Sequence, residues 1–312
     1  MRIVFCGTPE FAVPSLRTLL AAPDITVAAV VTQPDRPCGR GQSLKAPPVK
    51  QVALEAGVHV YQPETIKSES AQDFFRRLAP DAVVIIAYGK IIPASLLDIP
   101  PLGWINLHAS LLPKYRGAAP IQWAIVRGET RTGLTTMKID AGLDTGPILL
   151  QKEMAIGPDE TAVELTARMA QEGAPLVLET LRKLAAGEIV PVEQDHEQAT
   201  FAPLLKKEHG RILWSQPAQQ VYNHMRGMQP WPGAFTRFRG QLCHLWGRPA
   251  QIERPVVALP GTLLPQGERL WVACGDATAL ELDTVHLEGR ARVSAAEFLR
   301  GVRLRPGEAF ES

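Results

Sequence analysis

The first 110 residues alternate short apolar runs with helical stretches, and this alternation constrains the fold more than any other feature of the sequence. Strands are predicted at residues 3–6, 27–31, 58–61, 82–87 and 104–108. Helices are predicted between them at residues 11–20, 49–56 and 70–78. Strands separated by helices favour a mostly parallel sheet that is covered on both faces. Ligands of such sheets bind beyond the carboxyl ends of the strands, and His108 lies at one of these ends.

The second half of the chain has a different pattern. A long helix is predicted over residues 159–186, with Asp159 capping its start, Gly187 capping its end and Pro175 kinking or splitting it. Residues 188–207 show no clear period and contain two prolines, which indicates a linker. Short runs at 234–238, 270–273 and 279–285 then indicate a small all-β domain. We therefore predict an α/β domain over residues 1–189, a linker over 190–207 and a β domain over 208–312.

Composition narrows the class of protein. The chain is 46% hydrophobic and 21% charged, so it can bury a sizeable core. The formal net charge is +1, but residues 206–312 alone carry a net +4, which is compatible with a nucleic-acid partner. The four cysteines show no metal or redox spacing, and no stretch has the length of a signal peptide or a membrane span. We expect a soluble, cytoplasmic, monomeric protein with reduced thiols and no metal site.

The most informative stretch is GWINLHASLLPKYRGAAP, residues 103–120. Asn106 and His108 are two residues apart on a predicted strand, so their side chains share one face, and Leu107 points to the opposite, buried face. The strand end thus presents an amide and an imidazole together. The following turn adds backbone groups and apolar walls, a mixture that suits a flat heteroaromatic ligand. Its residues are Ser110, Leu111, Leu112 and Pro113.

A second stretch, MKIDAGLDTGP at residues 137–147, places Asp140 and Asp144 around a glycine-containing turn. A carboxylate beside a histidine can orient the ring, raise its basicity or accept from a substrate amine. Asn106 could stabilise an oxyanion by about 2.7–4 kcal/mol, and His108 with Asp144 could move protons. These groups suffice for acyl transfer to an amine without a nucleophilic Ser or Cys. Each residue alone is more often structural than catalytic, so the prediction depends on their joint occurrence.

The joint pattern resembles a known superfamily. The run from Asn106 to Pro113, followed by Arg116-Gly117 and Pro120, is similar to the signature of the folate-dependent formyltransferases, and DAGLDTG at 140–146 is similar to their aspartate loop. The resemblance implies a Rossmann-like domain that uses 10-formyltetrahydrofolate as co-substrate. It also implies that Asn106, His108 and Asp144 are catalytic. The folate-contacting turn of the family corresponds to Ser110, Leu111, Leu112 and Pro113.

The acceptor must be argued from other residues. The segment 33–50 is basic and rich in Gly and Pro, which predicts a loop without regular structure that could grip phosphates. Several short sequences resemble the methionyl-tRNA formyltransferase family. They are TQPDRP at 32–37, GRG at 39–41, PPVK at 47–50, CGTPEF at 6–11 and PWPGA at 230–234. That resemblance implies an OB-like second domain and initiator methionyl-tRNA as acceptor. The candidate tRNA-binding residues, with Arg40 the first choice, are Arg36, Arg40, Lys45, Lys206, Lys207, Arg237 and Arg239.

Two other hypotheses stay open at this point. The chain could formylate a sugar nucleotide or another small amine, although the basic loop disfavours that. It could also be a non-catalytic RNA-binding protein, although the intact Asn, His and Asp argue against it. Turnover with each class of acceptor would separate the three.

Overall fold

The computed structural model describes residues 1–38 and 43–311, so Arg40 lies outside the described residues. Short 3₁₀ helices occupy Glu10–Ala12, His196–Gln198 and Lys207–Gly210. In chain order the other elements are β1 (Arg2–Gly7), α1 (Val13–Ala21), β2 (Thr26–Val31), β3 (Arg36–Cys38), β4 (Ser43–Lys45), α2 (Pro48–Glu55), β5 (Val60–Tyr61), α3 (Glu69–Leu78), β6 (Ala82–Ile86), α4 (Ala94–Leu97), β7 (Trp104–His108), α5 (Pro120–Val126), β8 (Arg131–Lys138), β9 (Ile148–Ala155), α6 (Ala162–Ala185), α7 (Ala218–Gly227), β10 (Phe235–Phe238), β11 (Gln241–Pro249), β12 (Leu263–Gln266), β13 (Arg269–Ala273), β14 (Ala279–Leu287), β15 (Val293–Ser294) and α8 (Ala295–Gly301).

Internal contacts divide the chain into two units. The first comprises Met1–Pro120, Arg131–Ala155 and Leu165–Ala202, and the second comprises Ile121–Thr130, Ile156–Glu164 and Pro203–Ser312. The placing of a linker at 190–207 stays a prediction, although residues up to Ala202 make their contacts within the first unit.

The first unit contains a seven-stranded sheet in the order β5-β2-β1-β6-β7-β8-β9. The five strands from β5 to β7 run parallel, and β8 and β9 extend the sheet as an antiparallel pair. The central strand β6 is buried at every position, as expected for a strand covered on both faces. The predicted α/β class with a mostly parallel sheet is therefore confirmed.

The long helix differs from its prediction in two ways. It begins at Ala162 rather than Asp159, because Thr161 and Glu164 form reciprocal hydrogen bonds across the first turn, as in a capping box. It is one continuous helix that contains Pro175, so the alternative of a split helix is wrong. The predicted cap at Gly187 is confirmed: its φ is +71°, and its N–H donates to the Leu184 carbonyl.

The prediction that segment 33–50 lacks regular structure is wrong for part of it. β3 and β4 form an antiparallel pair in which Arg36 lies opposite Lys45. Composition misled the prediction, because a two-stranded ribbon tolerates the Pro that would exclude a central strand.

The second unit is built on an antiparallel sheet in the order β10-β11-β14-β13-β12, with β15 paired to β14. Residues near the C-terminus bridge the outer strands, since Glu311 pairs with Arg237 on β10 and Ala309 pairs with Thr262 next to β12. Trp214 stacks on Phe310 in the core, and Phe238 is 3% exposed and packs in the same core. The sheet thus curls round an apolar core, in line with the predicted OB-like β domain.

The three cysteines whose side chains are described, Cys6, Cys243 and Cys274, are buried free thiols. Burial raises the pKa of the Cys243 and Cys274 thiols to about 12, so both stay protonated at neutral pH. Among residues 1–38 and 43–311, no helix is long and apolar enough to cross a membrane.

Candidate active site

The candidate site lies where β7 ends. Asn106 and His108 are alternate residues of β7, paired with Met137 and Thr135 of β8. Leu107 is 4% exposed on the opposite face, and its side chain lies against Gly173 of α6. The predicted division of faces is therefore confirmed. The side-chain amide of Asn106 is partly exposed and makes no hydrogen bond to any described residue, so it can donate to a ligand.

The His108 ring is buried, and its two nitrogens have different surroundings. Nε2 lies 2.9 Å from the carbonyl oxygen of Tyr115. Because a carbonyl oxygen can only accept, Nε2 carries the ring proton, and in the neutral ring Nδ1 is the basic nitrogen. Nδ1 faces Asp144, with 3.7 Å between Nδ1 and Oδ2. That distance is too long for a direct hydrogen bond, and both atoms are acceptors when the ring is neutral.

Asp144 lies on the loop between β8 and β9, and its carboxylate lies beside the His108 ring. The residue has φ of +52°, a left-handed conformation that is uncommon for a non-glycine residue. Its Oδ2 accepts a hydrogen bond of 2.8 Å from the Gly117 N–H. One carboxylate oxygen is therefore held by the backbone while it faces the His108 ring.

Gly117 is required for this contact by its own geometry. Its φ is +117°, and a Cβ at this position would lie 2.7 Å from the Ala202 carbonyl oxygen. We predict that Gly117→Ala lowers the free energy of unfolding by about 1–3 kcal/mol. It should also lower kcat, because the N–H that holds Asp144 must move.

Gly187→Ala is the matched control for this prediction. Gly187 also has a positive φ of +71°, but a Cβ there meets nothing within 4 Å. Chemical denaturation and steady-state rates should show a stability loss in both variants and a loss of kcat in Gly117→Ala alone. An equal kcat in the two variants would contradict a role for the Gly117 N–H.

Asp140, the other carboxylate of the stretch, has a structural role. Its Oδ1 accepts from the Thr145 hydroxyl at 2.7 Å and from the Gly142 N–H at 3.0 Å, so it closes the turn before Asp144.

The turn predicted to contact folate is braced from within. The Ser110 hydroxyl is buried and donates to the Lys114 carbonyl, while the Ser110 carbonyl accepts from the Thr135 hydroxyl. Leu112 is also buried, and its carbonyl accepts from the Gln151 side chain. Leu111 and Pro113 remain partly exposed. Of the four predicted residues, these two therefore offer side-chain surface to a ligand.

The basic segment after β2 is anchored at its base. Lys50 forms a 2.7 Å ion pair with Asp35, and Gln62 donates to the same carboxylate. The hydrogen bond from Gln62 and, second, that from Lys50 hold the pKa of Asp35 below its usual value. Arg36 and Lys45 are exposed on β3 and β4. Lys50 is thus committed to the anchor, whereas Arg36 and Lys45 face solvent.

The remaining tRNA candidates belong to the second unit. Lys206 and Lys207 are exposed where the Lys207–Gly210 3₁₀ helix begins, and Arg237 is exposed on β10. Arg239 does not share a strand face with Arg237, since β10 ends at Phe238 and Arg239 has φ of +51°. Its guanidinium pairs with Glu308 at 2.6 Å, so it is held by a carboxylate of its own domain.

Sequence reasoning missed the group that supports the Asp144 loop. Gln194 and Arg116 are 5% and 4% exposed, and they connect this loop to the turn after β7. Arg116 was visible only as part of a motif. Gln194 gave no signal, because a single glutamine in an irregular segment has no local pattern.

Comparison with known proteins identifies the family. The family described as "Formyl transferase" matches residues 1–181, and "Formyl transferase, C-terminal domain" matches residues 204–303. The methionyl-tRNA formyltransferase of Solibacter usitatus is 56% identical over 99% of this chain and 98% of that protein. The enzyme of the same name from Acidobacterium capsulatum is 53% identical over 98% of both chains.

Solved structures agree with this fold. A sugar 3N-formyl transferase, WlaRD, solved in the presence of dTDP and 5-N-formyl-THF, covers 93% of this chain and 99% of its own, with a TM-score of 0.66 and 15% identity. Glycinamide ribonucleotide transformylase 1 from Symbiobacterium toebii covers 62% of this chain and 94% of its own, with a TM-score of 0.52 and 23% identity. These likenesses concern the fold alone, whereas the sequence relatives define the family. The chain belongs to the methionyl-tRNA formyltransferase family.

Proposed function

We propose that this chain transfers the formyl group of 10-formyltetrahydrofolate to the α-amino group of methionine on initiator methionyl-tRNA, for translation initiation. The observation that carries the proposal is the 56% identity to a methionyl-tRNA formyltransferase over 99% of this chain. The aligned region includes both the residues of the candidate site and the second domain.

The residues at the end of β7 fit the formyl donor. Donor groups are needed where charge develops on the formyl oxygen, and the Asn106 side-chain amide makes no hydrogen bond within the described part of the chain. The partly exposed Leu111 and Pro113 supply apolar surface for a flat ring. When bound, 10-formyltetrahydrofolate supplies the one-carbon group. The role of this chain is to hold that group beside His108 and Asp144.

His108 transfers the protons of the reaction, and Asp144 supports it. The attacking amine donates to the two acceptors that face each other, Nδ1 of His108 and Oδ2 of Asp144, which are 3.7 Å apart. Nδ1 takes the proton that the amine loses as the new C–N bond forms, and Asp144 stabilises the imidazolium. The imidazolium then returns a proton to the leaving folate nitrogen as the bond between that nitrogen and the formyl carbon breaks. Tyr115 leaves Nδ1 as the nitrogen that accepts the proton, because the Tyr115 carbonyl keeps the other ring proton on Nε2.

Basic side chains in both units would bind the tRNA. Arg36, Arg40 and Lys45 belong to the segment that the Asp35–Lys50 pair anchors, and Lys206, Lys207 and Arg237 are exposed in the second unit. Arg239 is a weaker candidate because Glu308 neutralises it. The monomeric state and the cytoplasmic location stay predictions.

Arg40 gives a test of the loop. We predict that Arg40→Leu lowers kcat/KM for methionyl-tRNA about tenfold or more, the discrimination of a strong charged contact, and leaves folate binding unchanged. The control is Arg77→Leu, because Arg77 is exposed near the end of α3, which leads into the amino end of β6, whereas the candidate site lies at the carboxyl end of β7. An equal loss of folate affinity in Arg40→Leu would make the loop a folate element instead.

The function itself is tested by offering two acceptors. Purified chain and 10-formyltetrahydrofolate are incubated with methionyl-tRNA or with a dTDP-amino sugar, and formylated product is quantified. We expect formyl-methionine on the tRNA and no formylated sugar. The reverse outcome would support a sugar-nucleotide formyltransferase, a function seen in proteins that share this fold at only 15% identity.

A further inference from the structure

We propose that Gln194 is a positioning residue that holds Asp144 in its catalytic orientation. The proposal rests on the proposed function, because it assigns a role in the same reaction. Gln194 lies between the two segments that the family descriptions match, residues 1–181 and 204–303. It belongs to the stretch where the sequence pattern indicated only a linker.

The amide of Gln194 uses its whole hydrogen-bonding capacity at the site. Its Nε2 donates to the Asp144 carbonyl at 2.9 Å and to the Gly146 carbonyl at 2.7 Å. Its Oε1 accepts from Nε and Nη2 of Arg116 at 3.1 and 2.7 Å. The amide cannot be turned over, because Arg116 can only donate and the two carbonyls can only accept.

Arg116 makes the interaction costly to break. Arg116 is 4% exposed, and within the described part of the chain no carboxylate pairs with its guanidinium. Apart from Gln194, its side chain donates to Nδ1 of His196 at 2.9 Å. A buried guanidinium that lost the Gln194 oxygen would be left poorly solvated. Arg116 therefore holds the Gln194 amide in one orientation.

The backbone geometry at Asp144 explains what this hold achieves. Asp144 has φ of +52°, and the two carbonyls that Gln194 binds belong to Asp144 itself and to the second residue after it. Fixing these peptide groups fixes the direction of the Asp144 side chain, whose Oδ2 then meets the Gly117 N–H. Gln194 thus holds the backbone at Asp144, and the Gly117 N–H holds its carboxylate.

The same segment also supports the other side of the site. Thr200 accepts from the Arg116 N–H through its carbonyl and from the Tyr115 N–H through its hydroxyl. Tyr115 carries the carbonyl that accepts from His108. Residues 194–202 therefore connect the support of His108 with that of Asp144. Gln194 is the member of this segment that reaches the aspartate loop.

The first test is Gln194→Ala beside Gln198→Ala. Gln198 is exposed on the neighbouring 3₁₀ helix, and its side-chain amide donates to Asp195. We expect Gln194→Ala to lower kcat by about 10- to 100-fold, as a misplaced catalytic group does. The KM values and the affinity for 5-formyltetrahydrofolate should change little, and Gln198→Ala should match the wild type. Full kcat in Gln194→Ala would overturn the proposal.

A second variant guards against a simple folding defect. Gln194→Glu keeps the length of the side chain and gives Arg116 a carboxylate, but it removes both donors to the Asp144 and Gly146 carbonyls. We expect it to fold, by circular dichroism and thermal midpoint, and to lose kcat like Gln194→Ala. A folded Gln194→Glu with wild-type kcat would show that donation to the aspartate loop is not needed.

A double-mutant cycle separates positioning from a general structural effect. If Gln194 acts through Asp144, Gln194→Ala should lower kcat much less in an Asp144→Asn background than in the wild type. An equal factor in the two backgrounds would overturn the proposal. The failure of the proposed function would look different, since the wild-type chain would then form no formyl-methionine.

Discussion

Replacing Asp144 with Asn is expected to lower kcat by about 10²–10⁴, the range for a positioned acid–base group. The side chain keeps its shape, and its amide oxygen can still accept from the Gly117 N–H, so the loop should fold as before. What disappears is the negative charge that faces Nδ1 of His108. Single-turnover formylation of methionyl-tRNA measures the loss, and filter binding should show unchanged tRNA affinity.

Asp140→Asn is the matched control, because both residues are aspartates of one loop. Asp140 accepts from the Thr145 hydroxyl and the Gly142 N–H and has no contact with His108 among the described residues. Its variant should retain most of the wild-type kcat. Equal losses in the two variants would show that the loop needs its charge or shape and that Asp144 has no special role.

The second large loss of kcat is expected for Asn106→Ala. Removing one oxyanion donor typically lowers kcat by about 10²–10³. Among residues 1–38 and 43–311 the Asn106 amide has no hydrogen-bond partner whose loss would unfold the site. The loss of a donor that acts only in the transition state lowers kcat and kcat/KM together. Steady-state kinetics against 10-formyltetrahydrofolate would measure this. A raised KM with unchanged kcat would instead assign Asn106 to folate binding.

The part of the site that lies on β7 could be predicted from the sequence. Two residues at a spacing of two on an apolar strand must share a face, and Asn106 and His108 pair with alternate residues of β8. The bounds predicted for this strand, residues 104–108, are those of β7. Strand periodicity acts locally, so short-range pattern was enough.

The strands β8 and β9 were not predicted, and for β8 the reason lies in buried threonines. Thr135 and Thr136 are fully buried in β8, where their hydroxyls bond to Ser110, Leu150 and Thr180. In the sequence these polar letters break the apolar run that marks a buried strand. Their partners come from distant segments, which no local pattern reveals.

Long-range contacts also decided the roles of Gln194 and Arg239. Gln194 lies fifty residues from the Asp144 that it supports, and Arg239 is paired with Glu308 near the C-terminus. Charge and spacing alone made Arg239 equivalent to Arg237, although β10 ends between them. The partner of a side chain can be known only from the fold, whereas the strand face on which a side chain lies can be read from the local sequence.

Formylation of methionine on the initiator tRNA is the activity that we propose for this chain. The most direct measurement compares initial rates of formyl transfer from 10-formyltetrahydrofolate to charged initiator and charged elongator methionyl-tRNA, at equal concentrations. We predict rapid formation of formyl-methionine on the initiator and a much slower rate on the elongator. No formyl-methionine on either tRNA would contradict the function, and equal rates on both would contradict initiator specificity.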